Sequence, residues 1–82
     1  MRAQPLVELI EIIARALVDN PEEVSVTSPR DSRNPRIELS VAPDDVGKVI
    51  GKDGRTAQSM RVLLNAAASR RSGGRAYLDI LD

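Results

Sequence analysis

Three observations predict an α+β domain whose elements run in the order α-β-β-α-α-β. Two segments carry apolar residues at three- and four-residue intervals, the period of a helix. Three short runs alternate apolar with polar residues, the period of a strand, and proline, glycine and asparagine fall between these runs as breakers. A chain of 82 residues supports one core. Residues 1–82 are therefore read as a single domain, with a three-stranded sheet packed by three helices.

The first helix is expected over 5–19. Leu6, Leu9, Ile10, Ile13, Ala16 and Leu17 form its stripe, Pro5 suits the first turn, and Glu8 and Glu11 lie towards its positive end. Val7, Ile12 and Val18 fall off that stripe, so its flanks are either covered or meet a partner. Asp19-Asn20-Pro21 ends it, because proline cannot continue a helix and biases the residue before it away from the α region. Val24 and Val26, then Ile37, Leu39 and Val41, alternate with polar neighbours and predict two strands. The connector 28–35 holds two prolines and reads as an exposed loop. Its Arg30 and Arg33, with the neighbouring Arg36, could reach a polyanion, although solvated loop arginines are the commoner case. Pro43-Asp44-Asp45 opens a short helix cut off by Gly51, the acids favouring the positive end of its dipole. Over 55–71, Ala57, Met60, Leu64, Ala67 and Ala68 keep helical spacing up to the stop at Ser72-Gly73-Gly74. Ala76, Leu78 and Ile80 give the last strand.

Composition excludes several kinds of chemistry. The chain has no Cys, His, Trp or Phe, which removes zinc-finger spacing, thiol and imidazole nucleophiles and disulfides. No cofactor or metal is expected. Ile, Leu and Val supply 22 of the 82 residues, above the level of disordered chains. No apolar run approaches the roughly 18 residues of a membrane span, and acids occupy the first twenty positions where a signal peptide would carry none. A soluble, cytoplasmic protein is expected. Zero net charge hides a polarity. Residues 1–45 hold five bases and nine acids, and residues 46–82 hold seven bases and three acids, which is compatible with a basic binding face or with a solvated dipolar surface.

The sharpest local feature is Val46-Gly47-Lys48-Val49-Ile50-Gly51-Lys52-Asp53-Gly54-Arg55. Glycines permit a close backbone approach, so this loop could press its amides onto a phosphate at the start of the following helix, with Lys48, Lys52 and Arg55 supplying charge. The competing reading is a tight corner between two helices in which Gly51 and Gly54 only satisfy backbone geometry.

The stretch VGKVIGKDGRT, lying between two helices that follow one strand and precede another, resembles the helix-GxxG-helix signature of KH domains. Here that signature spans 43–72. The element order resembles the type II arrangement, and the whole is similar to the small bacterial KhpA family of RNA-binding proteins. The resemblance implies that Gly51, Lys52, Asp53 and Gly54 clamp the backbone of about four nucleotides of single-stranded RNA. It further implies that Val46, Val49 and Ile50 border a groove for the bases, that Lys48 and Arg55 meet phosphates, and that Arg61 assists further along the helix. Asp53 departs from the pattern, since an acid in the clamp repels phosphate. The resemblance also implies a homodimer, a heteromer with a larger KH-containing protein of the KhpB/Jag kind, and a role as RNA chaperone or post-transcriptional regulator linked to cell shape and envelope homeostasis.

Composition adds a constraint of its own. Tyr77 is the one aromatic residue, so bases must meet aliphatic and hydrogen-bonding groups rather than stacked rings. Weak, sequence-tolerant binding follows, with three cationic contacts and a salt slope of about −2. More than one site per assembly would raise the avidity. Catalysis is not expected. Gly47-x-x-x-Gly51-Lys52 is one residue short of a nucleotide-binding loop, Asp53 stands where Ser or Thr belongs, and a helix rather than a strand precedes it. An alternative non-catalytic reading is a KH-like dimerisation or interaction module whose clamp is vestigial.

Overall fold

The computed structural model describes residues 4–29 and 34–81. Arg30 and Arg33 lie outside the described residues. The helices are α1 (Gln4–Leu17), α2 (Val46–Ile50) and α3 (Arg55–Ser72), and the strands are β1 (Ser25–Thr27), β2 (Arg36–Ser40) and β3 (Tyr77–Leu81). Single helical turns at Pro21–Glu23, Pro43–Asp45 and Lys52–Gly54 join them. The order α-β-β-α-α-β and the α+β class are those read from the sequence.

The three strands form one sheet with β2 in the centre. β1 runs antiparallel to it, with Val26 opposite Leu39, and β3 runs parallel, with Ile37 opposite Leu78 and Leu39 opposite Ile80. A parallel pair cannot be closed by a hairpin, so α2 and α3 together make the crossover. Alternation along the strands turns Val26, Ile37, Leu39 and Leu78 into the core, where they meet Leu6 and Ile10 of α1 and Met60 and Leu64 of α3. Across the strands, Arg36 pairs with Asp79 at 3.3 Å; both side chains are exposed, so this pair adds little stability.

Helix α3 buries Ala57, Met60, Leu64 and Ala68, as its spacing requires, and Ala67 packs at the margin of the core. It ends on Gly73 in the left-handed conformation, whose amide bonds back to the Ser69 carbonyl. Helix α1 departs from expectation in two ways. Its buried line is Leu6, Val7, Ile10 and Ala14, continued by Val18, while Ala16 and Leu17 are exposed. The core face is thus rotated so that Val7 and Val18 are covered, and Ile12 remains 70% exposed. The helix also stops at Leu17 rather than near 19, because the Asp19 and Asn20 amides donate to the Asp45 carboxylate instead of extending the helical ladder.

Candidate nucleic-acid interface

The corner between α2 and α3 is built from backbone conformations that few residues tolerate. Gly51 sits at φ 78, ψ 174, a region essentially closed to side-chain-bearing residues. A Cβ there would overlap the Thr56 side chain and lie 2.9 Å from the Thr56 backbone nitrogen. Asp53 (φ 57, ψ 25) and Gly54 (φ 73, ψ 12) are both left-handed. Asp is one of the few non-glycine residues that visits this region readily, so Asp53 has a conformational reason to be present whatever its charge does. The Gly51 amide bonds to the Gly47 carbonyl, and the Gly54 amide bonds to the Gly51 carbonyl. The Lys52 and Asp53 amides open the next turn, where donors have no acceptor within the helix. Lys52, Asp53 and Arg55 are all exposed. The corner therefore sets the first amides of a helical turn beside two exposed cations.

Lys48 does not join them. Its Nζ lies 3.2 Å from Asp19 Oδ2 and 3.4 Å from Asp45 Oδ1. The hydrogen bond and charge of Asp19, seconded by Asp45, raise its pKa above the ordinary 10.5. Asp45 is fully buried. It accepts from the Asp19 amide at 3.3 Å and from the Asn20 amide and side-chain Nδ2 at 3.0 Å each. Burial pushes its carboxyl upward, but the bonds from Asn20, Asp19 and Lys48 outweigh burial and hold it below the ordinary 3.8. Asp45 was expected to complement a helix dipole, and Lys48 to meet phosphate; together they instead fasten the start of α2 to the end of α1.

The three apolar residues expected around a groove separate. Val49 is fully buried in the core and turns away from any ligand. Val46 is partly buried and lines a hollow with Val41, Pro43 and Leu81. Only Ile50, 38% exposed, faces solvent beside the glycine corner. A different groove, of about 460 Å³, runs between α3 and β3 and is bordered by Gln58, Arg61, Asn65, Arg75 and Tyr77. Arg61 donates through Nη2 to the Leu78 carbonyl at 3.4 Å. Asn65 accepts from the Ala76 amide and donates to the Arg61 carbonyl, both at 3.0 Å, which fixes the start of β3 against α3. Arg61 was expected on resemblance as a further cation beyond Lys48 and Arg55, not as a wall of this groove, and Gln58 and Asn65 were not expected at all, although their spacing of three and four residues from Arg61 places all three on one helix face. Arg75 and Tyr77 reach the groove only through the parallel placement of β3. Among the described residues no acidic cluster is placed to hold a metal ion, and no helix is long and apolar enough to cross a membrane.

A Gly-x-x-Gly corner joining two helices, packed on a three-stranded mixed sheet in this element order, defines a KH domain of the type II arrangement. The family model described as "KhpA/KhpB, KH domain" matches residues 7–80, and the chain belongs to that family. It is 53% identical over 74 residues to the RNA-binding protein KhpA of Halalkalibacterium halodurans, covering 90% of this chain and 96% of that protein. To the RNA-binding protein KhpA of Treponema pallidum it is 52% identical over 75 residues, 92% of each chain. Among solved structures, a point variant of Aquifex aeolicus Era bound to GDP and AlF4− superposes with a TM-score of 0.67 at 17% identity, over 92% of this chain and 29% of that one. At that identity the likeness is one of fold. The family is one of binding domains, and the protein is not an enzyme.

Proposed function

We propose that this protein binds single-stranded RNA by gripping the sugar-phosphate backbone at Gly51–Gly54, with bases directed into the α3–β3 groove. One observation carries the reading. Two left-handed residues and one glycine-only residue shape the corner beside exposed Lys52 and Arg55, which supports a backbone that receives phosphate with charge at its rim. The relatives named RNA-binding protein KhpA support RNA as the polyanion. Binding is reversible and tolerant of sequence at the backbone, as suits an RNA chaperone or post-transcriptional regulator in the cytoplasm. By family resemblance the assembly is a homodimer or a heteromer with a KhpB/Jag-like partner, acting on cell shape and envelope homeostasis. Exposed Leu63 and Ala66, three residues apart on α3, supply an apolar surface for such pairing.

With Lys48 held by two carboxylates, the corner retains two mobile cations rather than three, and the salt slope contributed by the clamp becomes about −1.4. Fluorescence anisotropy of labelled single-stranded RNA at several salt concentrations tests this. Lys52→Asp, folded by circular dichroism, is expected to lose binding at least tenfold, while Lys48→Met leaves the slope unchanged. Equal binding by wild type and Lys52→Asp would refute the clamp and favour an interaction module.

A further inference from the structure

The polar side chains of the α3–β3 groove are those of Gln58, Arg61, Asn65, Arg75 and Tyr77, set beside apolar Val62. Arg61 and Arg75 carry donors alone, and no carboxylate borders it. Asn65 is engaged on both its oxygen and its nitrogen by the backbone. Arg61 is half-buried and anchored, with one Nη2 hydrogen on the Leu78 carbonyl. A guanidinium has two bidentate edges, one formed by Nε with Nη2 and the other by Nη1 with Nη2, and each edge uses a different Nη2 hydrogen. Whichever hydrogen the Leu78 carbonyl takes, one complete edge is left unused by that bond, on a side chain that lines the groove. That edge is already oriented before a ligand arrives, so little side-chain freedom remains to be lost on binding.

We infer that Arg61 makes this groove a base-reading pocket that selects nucleobases carrying two adjacent hydrogen-bond acceptors, guanine through O6 and N7 or cytosine through O2 and N3, over adenine and uracil. Adenine places a donor beside each of the acceptors N1 and N7, and uracil separates its two oxygens by N3–H, so neither matches a two-donor fork. Arg61, in the pocket, lies six residues along α3 from Arg55 at the corner, about 9 Å at the helical rise. A strand held at the glycine corner can therefore place a base against Arg61. The inference rests on the clamp reading of the corner and adds a specificity to it.

Four labelled RNA octamers test it, a uridine background whose two central positions are UU, AA, CC or GG, titrated against wild type, Arg61→Lys and Lys52→Asp. For wild type, the GG and CC octamers are expected to bind roughly tenfold tighter than AA and UU. Arg61→Lys keeps the charge but loses the fork, and is expected to bring all four within about twofold of one another. Lys52→Asp weakens all four together and keeps their ratios, measured at higher protein concentration. Equal binding of all four octamers by wild type overturns the inference and leaves the clamp standing, as does a preference that survives in Arg61→Lys. Should that variant fail to fold by circular dichroism, the wild-type series alone decides. No binding of any octamer by wild type overturns both the clamp and the pocket.

Discussion

A methyl group added at Gly51 meets the Thr56 side chain and the Thr56 backbone nitrogen, whereas nothing lies within 4 Å of a methyl group added at Gly54. The two glycines of the signature are therefore unequal. Gly54→Ala bears only the left-handed penalty, about 1–2 kcal/mol. Gly51→Ala bears a glycine-only conformation and an overlap that side-chain motion alone cannot relieve, for a loss of about 3 kcal/mol or more. Thermal denaturation should separate the variants by roughly 4–8 °C for each kcal/mol between them, and equal melting points would contradict the unequal roles. The motif itself was legible in the sequence, but this inequality was not, because it depends on where Thr56 turns back. Asp53 was legible only as a charge, and its left-handed backbone gives it a second role. Lys48 was counted among the free cations although Asp45 stands three residues before it; its nearer partner, Asp19, lies beyond the end of α1, and no local spacing announces that pair.

The junction of α1 and α2 depends on one buried carboxylate. Asp45 has its pKa lowered, so its contribution to stability is complete above the ordinary value of 3.8 and is lost as pH falls through the folded value. Lys48 has its pKa raised, so its contribution is complete below 10.5 and is lost as pH rises beyond that. The melting temperature of wild type should exceed that of Asp45→Asn across neutral pH, with the gap narrowing below about pH 4. A gap that stays constant down to pH 2 would show that the carboxylate's charge is not what fastens the two helices. Element types and order were readable from periodicity, most securely in α3, whose apolar stripe is the one observed. The rotation of α1 was not readable. Apolar residues surround that helix on several sides, and only the position of the sheet and α3 decides which of them are covered.

For the molecule as a whole, exposed Leu63 on α3, 53% accessible, bears on self-association. If copies pair through that surface, Leu63→Glu should shift sedimentation equilibrium to monomer at concentrations where wild type is dimeric, with circular dichroism unchanged. An unaltered dimer would place the contact elsewhere. The class of fold was readable because each element announces itself locally, whereas the α3–β3 groove was not, because it exists only after distant segments meet. That dependence also bears on how the chain acquires its structure. The strand at the centre of the sheet pairs along one edge with residues roughly half the chain away, so this register closes late and at a high entropic cost of chain closure. A polypeptide emerging from the ribosome N-terminus first carries β2 with one edge unpaired until residues 77–81 have been synthesised. Folding of this domain is thus completed only as its last strand becomes available, and until then a nascent chain carries an open strand edge on which aggregation can start.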